Sequence, residues 1–219
     1  MGVLSELAQY LKKPESLVEE VLSSREHLFE IEYDIWRSIN PDAHLLEFYM
    51  NSTLSMISNA QDEIERDLDT DWSDMMESIP HQVTSVFDYG AGIGSAGLNF
   101  VERTPGASLS FFEPNRFAAQ FLKWRAYQRK IEVIEEQILS TRIKYDLIIC
   151  WGVFEHLADI TAEATAAYLV ESLTDRGKLF VKNFYEQTDA YLLHFPKGPR
   201  MAKFYERFED KIIFAKHSH

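Results

Sequence analysis

The chain predicts an α/β fold in which a mostly parallel sheet is covered by helices on both faces and preceded by a helical segment. From about Gln82 onward, short apolar runs alternate with helical runs across short connections, the pattern of parallel strands joined by right-handed crossovers. Before that point the apolar residues recur only at helical spacing. The first apolar run then ends in SVFDYGAGIGSAGLN, Ser85 to Asn99. Closely spaced glycines after a strand let backbone approach a ligand that a side chain would block, and the next helix offers free N–H groups.

The elements follow in order. Leu4, Leu7, Ala8 and Leu11 line one face of a first helix, and Leu17, Val18, Val21 and Leu22 one face of a second, with Pro14 suited to its first turn. A third helix is expected from about Arg25 to Ile39 and a fourth from about Ala43 to Asn59, with Asn40, Pro41 and Asp42 as the turn between them. The acidic stretch Asp62 to Glu77 reads as a solvated helix or loop, and Ile79, Pro80 and His81 close the segment. The division expected is therefore a helical cap over residues 1–80 and an α/β domain over 81–219. Phe29, Tyr33, Trp36, Phe48, Tyr49, Met50 and Met56 suit a lid wall, ordinary packing, or a homodimer contact through these helices.

Beyond the cap, strands are expected at 84–89, 108–113, 131–135, 145–151 and 178–184, with helices at about 94–103, 115–129 and 161–174. Lys211 to Lys216 can form a final strand and Tyr191 to Phe195 another, which leaves about fifteen residues between them, including Pro196, Gly198, Pro199, Arg200 and Lys203. So short a connection implies a shortened or rearranged C-terminal hairpin. Arg200 and Lys203 are read as solvated surface, with an acidic acceptor group as the alternative.

The 219 residues, 46% of them hydrophobic, can fill a core, and 35 acidic against 22 basic residues give a formal charge of −13. That balance disfavours a nucleic-acid partner and favours a small-molecule one. A single cysteine, Cys150, excludes an intrachain disulfide, and His44, His81, His194, His217 and His219 lack metal-ligand spacing, so no metal is expected. No apolar run approaches the ~20 residues of a membrane span and no signal-like start is present, so a cytoplasmic location without membrane contact is expected.

Gly92-Ile93-Gly94-Ser95-Ala96-Gly97 satisfies the dinucleotide pattern, and Glu113 ends the following strand where a ribose-binding acid belongs. On that pattern alone an NAD(P)-dependent oxidoreductase is open. The full run Phe87-Asp88-Tyr89-Gly90-Ala91-Gly92-Ile93-Gly94, however, resembles the first motif of class I S-adenosylmethionine-dependent methyltransferases, with an acid two residues ahead of Gly-x-Gly-x-Gly. Leu109 to Asn115, Tyr145 to Leu157 and Gly177 to Asn183 resemble that family's second strand, fourth strand with its following motif, and fifth strand.

The resemblance implies a Rossmann-like, seven-stranded-type sheet with S-adenosyl-L-methionine as cofactor and S-adenosyl-L-homocysteine as product. It implies that Asp88, Gly90, Ala91, Gly92 and Gly94 form the loop at the methionine end. Glu113, beside Pro114, would take both ribose hydroxyls. Glu136 and Gln137 would lie at the adenine, and Cys150 and Trp151, at the end of the fourth strand, would complete the cofactor-binding residues. Plainer readings stand beside these: Asp88 as a helix cap, Glu113 as an acid at a helix start, Phe112 and Ile138 as core, and Cys150 as a small core residue.

Methyl transfer from a sulfonium is an in-line displacement, so an enzyme mainly holds the acceptor near the methyl group and excludes water. His156, just past the fourth strand, is the candidate base, with Glu155 as its orienter. His156 can equally be a loop-packing residue, and Glu155 a turn-holding one. His194 with Tyr185 and Tyr191 could reach the acceptor or merely pack. The activity implied is EC 2.1.1.-, methylation of a small molecule at oxygen or nitrogen, with a sugar or natural-product hydroxyl as one case. The alternatives are an RNA methyltransferase and a non-catalytic binding protein of the same fold.

Overall fold

A computed structural model of the chain describes residues 2–43, 45–65, 76, 79, 82–137, 141–182 and 197–214. The readings of His44, Pro80, His81, Ile138, Tyr185, the Tyr191–Phe195 strand, His194, His217 and His219 fall outside these residues. In chain order the elements are α1 Val3–Leu11, α2 Glu15–Ser23, α3 Arg25–Ile39, α4 Leu45–Asn51, α5 Thr53–Glu65, β1 Ser85–Tyr89 and α6 Ser95–Arg103. Then come β2 Ser108–Phe112, α7 Arg116–Gln128, β3 Val133–Glu135, β4 Tyr145–Trp151, a 3-10 turn Phe154–His156, α8 Asp159–Glu171, β5 Leu173–Lys182, α9 Pro199–Arg207 and β6 Ile212–Phe214.

By its contacts the chain divides into two compact units. The first holds Met1–Asp67, Gly92–Ser95 and Glu113–Ile131, and the second holds Leu68–Ala91, Ala96–Phe112 and Glu132–His219. The first therefore combines the N-terminal helices with the far side of the glycine loop and with α7.

In the first unit, Leu7, Ala8, Val18, Leu22, Met56, Ala60, Ile93, Ala118 and Phe121 form one apolar cluster. The single fourth helix expected over 43–59 is two helices. Ser52 breaks it by capping: its Oγ accepts from the Ser55 N–H at 3.2 Å and donates to Glu32, giving an N-terminal donor the partner it would otherwise lack. Pro14 stands at the N-cap of α2. Phe29, Tyr33 and Trp36 of α3 gather around the buried Phe48, with ring centroids 5.1, 5.3 and 5.4 Å away.

The second unit contains the sheet, of order β3-β2-β1-β4-β5-β6, with every strand parallel to its neighbours. The order reverses at β1 and β4, the switch point at which such sheets bind ligands beyond the carboxyl ends of the strands. Alternate residues face opposite ways. Phe87, Ile148, Cys150, Leu179 and Val181 join Ala166 and Leu169 of α8 and Met201 and Phe204 of α9 in one core. On the other face Gly97 of α6 lies so close to β1 and β2 that an added Cβ would sit 2.8 Å from Asp88 and 2.9 Å from Leu109.

At the amino end of the sheet, the Asp146 carboxylate accepts from the Thr84 N–H at 2.9 Å, the Thr84 hydroxyl at 2.8 Å and the Thr174 hydroxyl at 3.2 Å. Burial opposes its ionisation, but these donors outweigh burial and hold its pKa below the ordinary carboxylate value.

The C-terminal hairpin rests in part on Tyr191–Phe195, outside the described residues; its other strand, β6, pairs parallel with β5, Leu179 opposite Ile212 and Val181 opposite Phe214, and the described sheet has six strands. One expectation changes. The stretch around Pro199, Arg200 and Lys203 is helix α9. Pro199 opens it, and the Asp159 carboxylate accepts from the Arg200 and Met201 amides, both at 3.1 Å. Arg200 pairs with Glu163 at 3.0 Å, so its guanidinium is engaged on this surface.

Candidate active site

In the second unit the glycine loop begins where β1 ends. Phe112 ends β2, and its carbonyl accepts from the Gly90 N–H at 2.8 Å and from the Ala91 N–H at 3.1 Å. The chain thus turns as β1 ends. Gly90 has φ +70°, and a Cβ there would meet a Val153 methyl at 2.5 Å, so a side chain is excluded both by conformation and by space. Asp88 is 2% exposed and accepts from the Gly97 N–H at 2.8 Å. It holds the first turn of α6, as the capping reading expected. Burial raises its pKa to about 7 against the lowering pull of that N–H.

The first unit holds Gly92 to Ser95 and the acid that follows β2. Gly92, at φ +55°, donates its N–H to Glu113 Oε2 at 2.7 Å, and Glu113 Oε1 accepts from the Asn115 N–H at 2.7 Å. The acid that follows β2 is therefore buried and held by backbone on both sides. Asn115, wholly buried, caps α7 through Oδ1, which accepts from the Phe117 and Ala118 amides at 3.0 Å each. Its amide nitrogen donates to the Ser52 carbonyl at 2.8 Å. Tyr49, hydrogen-bonded to Asn59, has its pKa raised by burial first and by the charge of Glu113 second. Asn59 Nδ2 lies 3.0 Å from where a Gly92 Cβ would stand.

Of the remaining candidates, Pro114 is half-buried and Gln137 exposed. The Glu136 amide donates to the Phe111 carbonyl at 2.8 Å, which ties the end of β3 to β2. The Cys150 thiol lies in the apolar core, wholly buried, its pKa pushed well up by burial and then by Glu155 and Asp88. It is a core side chain and, at neutral pH, an unionised thiol. Trp151 is half-buried, with Lys182 Nζ 4.7 Å from its ring centroid. Glu155 is wholly buried, whereas His156, in the 3-10 turn, is partly exposed and donates its amide to Val153 O at 3.0 Å.

The loop residues fit a nucleoside cofactor bearing an ammonium group. In the first unit the Glu113 carboxylate stands on the Gly92 amide, and in the second the Asp88 carboxylate stands on the Gly97 amide, acids of the kind a ribose and an ammonium group call for. Among the described residues no group of three or more His, Cys, Asp or Glu is arranged to hold a metal ion, and no helix is long and apolar enough to cross a membrane. The reading of the sequence passed over Asn59, Arg125 and Ser95. No local signal singles out Arg125, since its run Phe121-Leu122-Lys123-Trp124-Arg125-Ala126 holds a second basic residue, Lys123.

Comparison with known proteins agrees with this geometry. An S-adenosylmethionine-dependent methyltransferase from Clostridium acetobutylicum superposes with TM-score 0.51 at 12% identity, covering 58% of this chain and 55% of that one. A Nostoc punctiforme protein described as a candidate O-methyltransferase superposes with TM-score 0.54 at 15% identity, over 76% of this chain and 55% of that one. These two show the fold. The Rickettsia typhi protein PKMT2, solved with AdoHcy, is 26% identical over 46% of this chain and 21% of that one, at TM-score 0.40. The chain thus spans from about a fifth to just over half of these solved chains. No curated protein matches the sequence. The family described as "Methyltransferase domain" matches residues 4–207, almost the whole chain, and the protein belongs to that family of class I methyltransferases.

Proposed function

We propose that the protein transfers the methyl group of S-adenosylmethionine to an oxygen or nitrogen of a small molecule. The observation that carries this reading is the Gly92 amide held at 2.7 Å on the Glu113 carboxylate. It brings the acid after β2 against the glycine turn, where a ribose could replace backbone donors on that carboxylate. S-adenosylmethionine, when bound, supplies an electrophilic methyl group on a sulfonium.

The chain's own groups then bind and orient. The Gly90-to-Gly94 turn admits the methionine portion closely, and Asp88 offers a carboxylate to its ammonium. An acceptor hydroxyl or amine loses a proton as its new bond to carbon forms, and in this reading His156, in the turn after β4, takes that proton. The formal charge of −13 supports a small acceptor over a polyanion.

The test is methyl transfer from isotopically labelled S-adenosylmethionine to a panel of hydroxylated and amino small molecules, with RNA included. Label in a small acceptor supports the proposal, and label confined to RNA overturns its acceptor class. His156→Ala should abolish turnover while cofactor affinity is retained. Unchanged transfer across the pH range in that variant would remove His156 from the mechanism.

A further inference from the structure

Arg125, on α7, is wholly buried, and its guanidinium donates to groups that sequence order keeps far apart. Its Nε donates to Glu6 of α1 at 2.8 Å, and Nη1 and Nη2 grip the Glu63 carboxylate of α5 at 2.8 and 2.7 Å. Nη1 also donates to the Ile93 carbonyl at 2.9 Å. Glu63 in turn accepts from the Ser95 hydroxyl. Ile93 and Ser95 flank Gly94, so this one cluster holds the glycine loop on both sides of its last turn. Arg129 reaches Glu6 at 3.0 Å and brings the cluster to two cations and two anions.

We infer that Arg125 is a positioning residue for the cofactor loop, and that α1 and α5 belong to the cofactor-binding machinery because they supply the carboxylates through which it acts. The inference rests on the reading of the glycine loop as the S-adenosylmethionine site. A planar guanidinium satisfies two carboxylates and a carbonyl in one fixed geometry, which an ammonium cannot do. Burial works against its charge, but Glu63 and Glu6 outweigh burial and raise its pKa, so it stays charged. A loop carbonyl bonded to a permanent buried charge has one place to be. Preorganising the loop in this way lessens the ordering a ligand must impose on binding.

The test uses the full chain with four substitutions. Ser95→Ala removes the loop-side hydroxyl without burying an unpaired charge. Arg125→Lys keeps charge but loses the fork, Glu63→Gln keeps shape but loses charge, and Arg129→Gln cuts the cluster at Glu6. Amide hydrogen exchange at Ile93 to Ser95, and calorimetric affinity for S-adenosylhomocysteine, are measured well below each melting temperature.

We expect faster loop exchange in the first three, with β4 protection unchanged, and affinity weakened about tenfold, as the loss of one charged hydrogen bond would give. Arg129→Gln, which touches Glu6 but no loop atom, should lower the melting temperature and change both readouts less than the other three. Should Arg125→Lys or Glu63→Gln fail to fold, Ser95→Ala decides. Loop exchange and affinity equal to wild type in folded Ser95→Ala overturn the inference. Wild-type protein that fails to bind S-adenosylhomocysteine contradicts the proposed function instead, and the exchange readout still decides whether the cluster holds the loop.

Discussion

Each of the two units of this protein is held together internally by its own chemistry. The second is an apolar construction in which Phe87, Ile148, Leu179, Val181, Ala166, Leu169, Met201 and Phe204 close around parallel strands. The first has an apolar cluster of its own but also a buried, charge-balanced group of Arg125, Arg129, Glu6 and Glu63. Apolar burial is non-directional and tolerates many sequences of the right pattern. A buried ion cluster adds little net stability but penalises every arrangement that leaves one charge alone. The difference teaches that the sheet is specified by pattern, whereas the packing of α1, α5 and α7 depends on particular partners.

Breaking the cluster should have the largest effect. Arg125→Met leaves two carboxylates facing each other in a buried site, and we expect a loss of about 3–5 kcal/mol in denaturant unfolding. Hydrogen exchange should find α1 and α5 deprotected before β4. Equal loss of protection in all elements would erase the contrast between the units.

In the sheet, Leu179→Ala should cost roughly 2–5 kcal/mol by cavity formation, measured in the same way, with little dependence on salt or pH.

Two carboxylates sharpen the comparison through opposite signs. The pKa of Asp146 is depressed in the folded protein, so its contribution is present above the unfolded value and is lost as pH falls through the folded one. Asp146→Asn should cost about 1 kcal/mol at neutral pH and nothing near the acid limit. The pKa of Asp88 is raised to about 7, so its burial is harmless below the ordinary carboxylate value and becomes costly as pH rises through 7. Asp88→Asn should therefore flatten that decline, as thermal melts across the range would show. It should also weaken binding of the ammonium-bearing cofactor.

The smallest effect belongs to the surface pair of Arg200 and Glu163, whose Arg200→Ala variant should shift stability by no more than about 0.5 kcal/mol.

How much of this was legible follows the same division. Strands β1, β2 and β4 and helix α3 fall within a residue of where the sequence pattern placed them, because the strands are short apolar runs and the helix repeats its apolar residues at helical spacing. Strand β3 starts later than its apolar run because Ile131 closes α7, donating to the Ala126 carbonyl at 2.9 Å. Helix α9 was missed although Pro199, Met201, Phe204 and Tyr205 carry its start and spacing. The expectation of a strand hairpin overrode them.

At the site, Gly92 and Glu113 were legible as a motif, and the structure joins them directly. Arg125 was not legible as a participant. It pairs with Glu6 across 119 positions and with Glu63 across 62, and no local pattern marks either partnership.

The measurement that bears most directly on the central claim is calorimetric titration of the protein with S-adenosylhomocysteine, with NADH titrated in parallel. The account predicts one-to-one, micromolar binding of S-adenosylhomocysteine and no binding of NADH. Binding of NADH alone, or of neither, would contradict it.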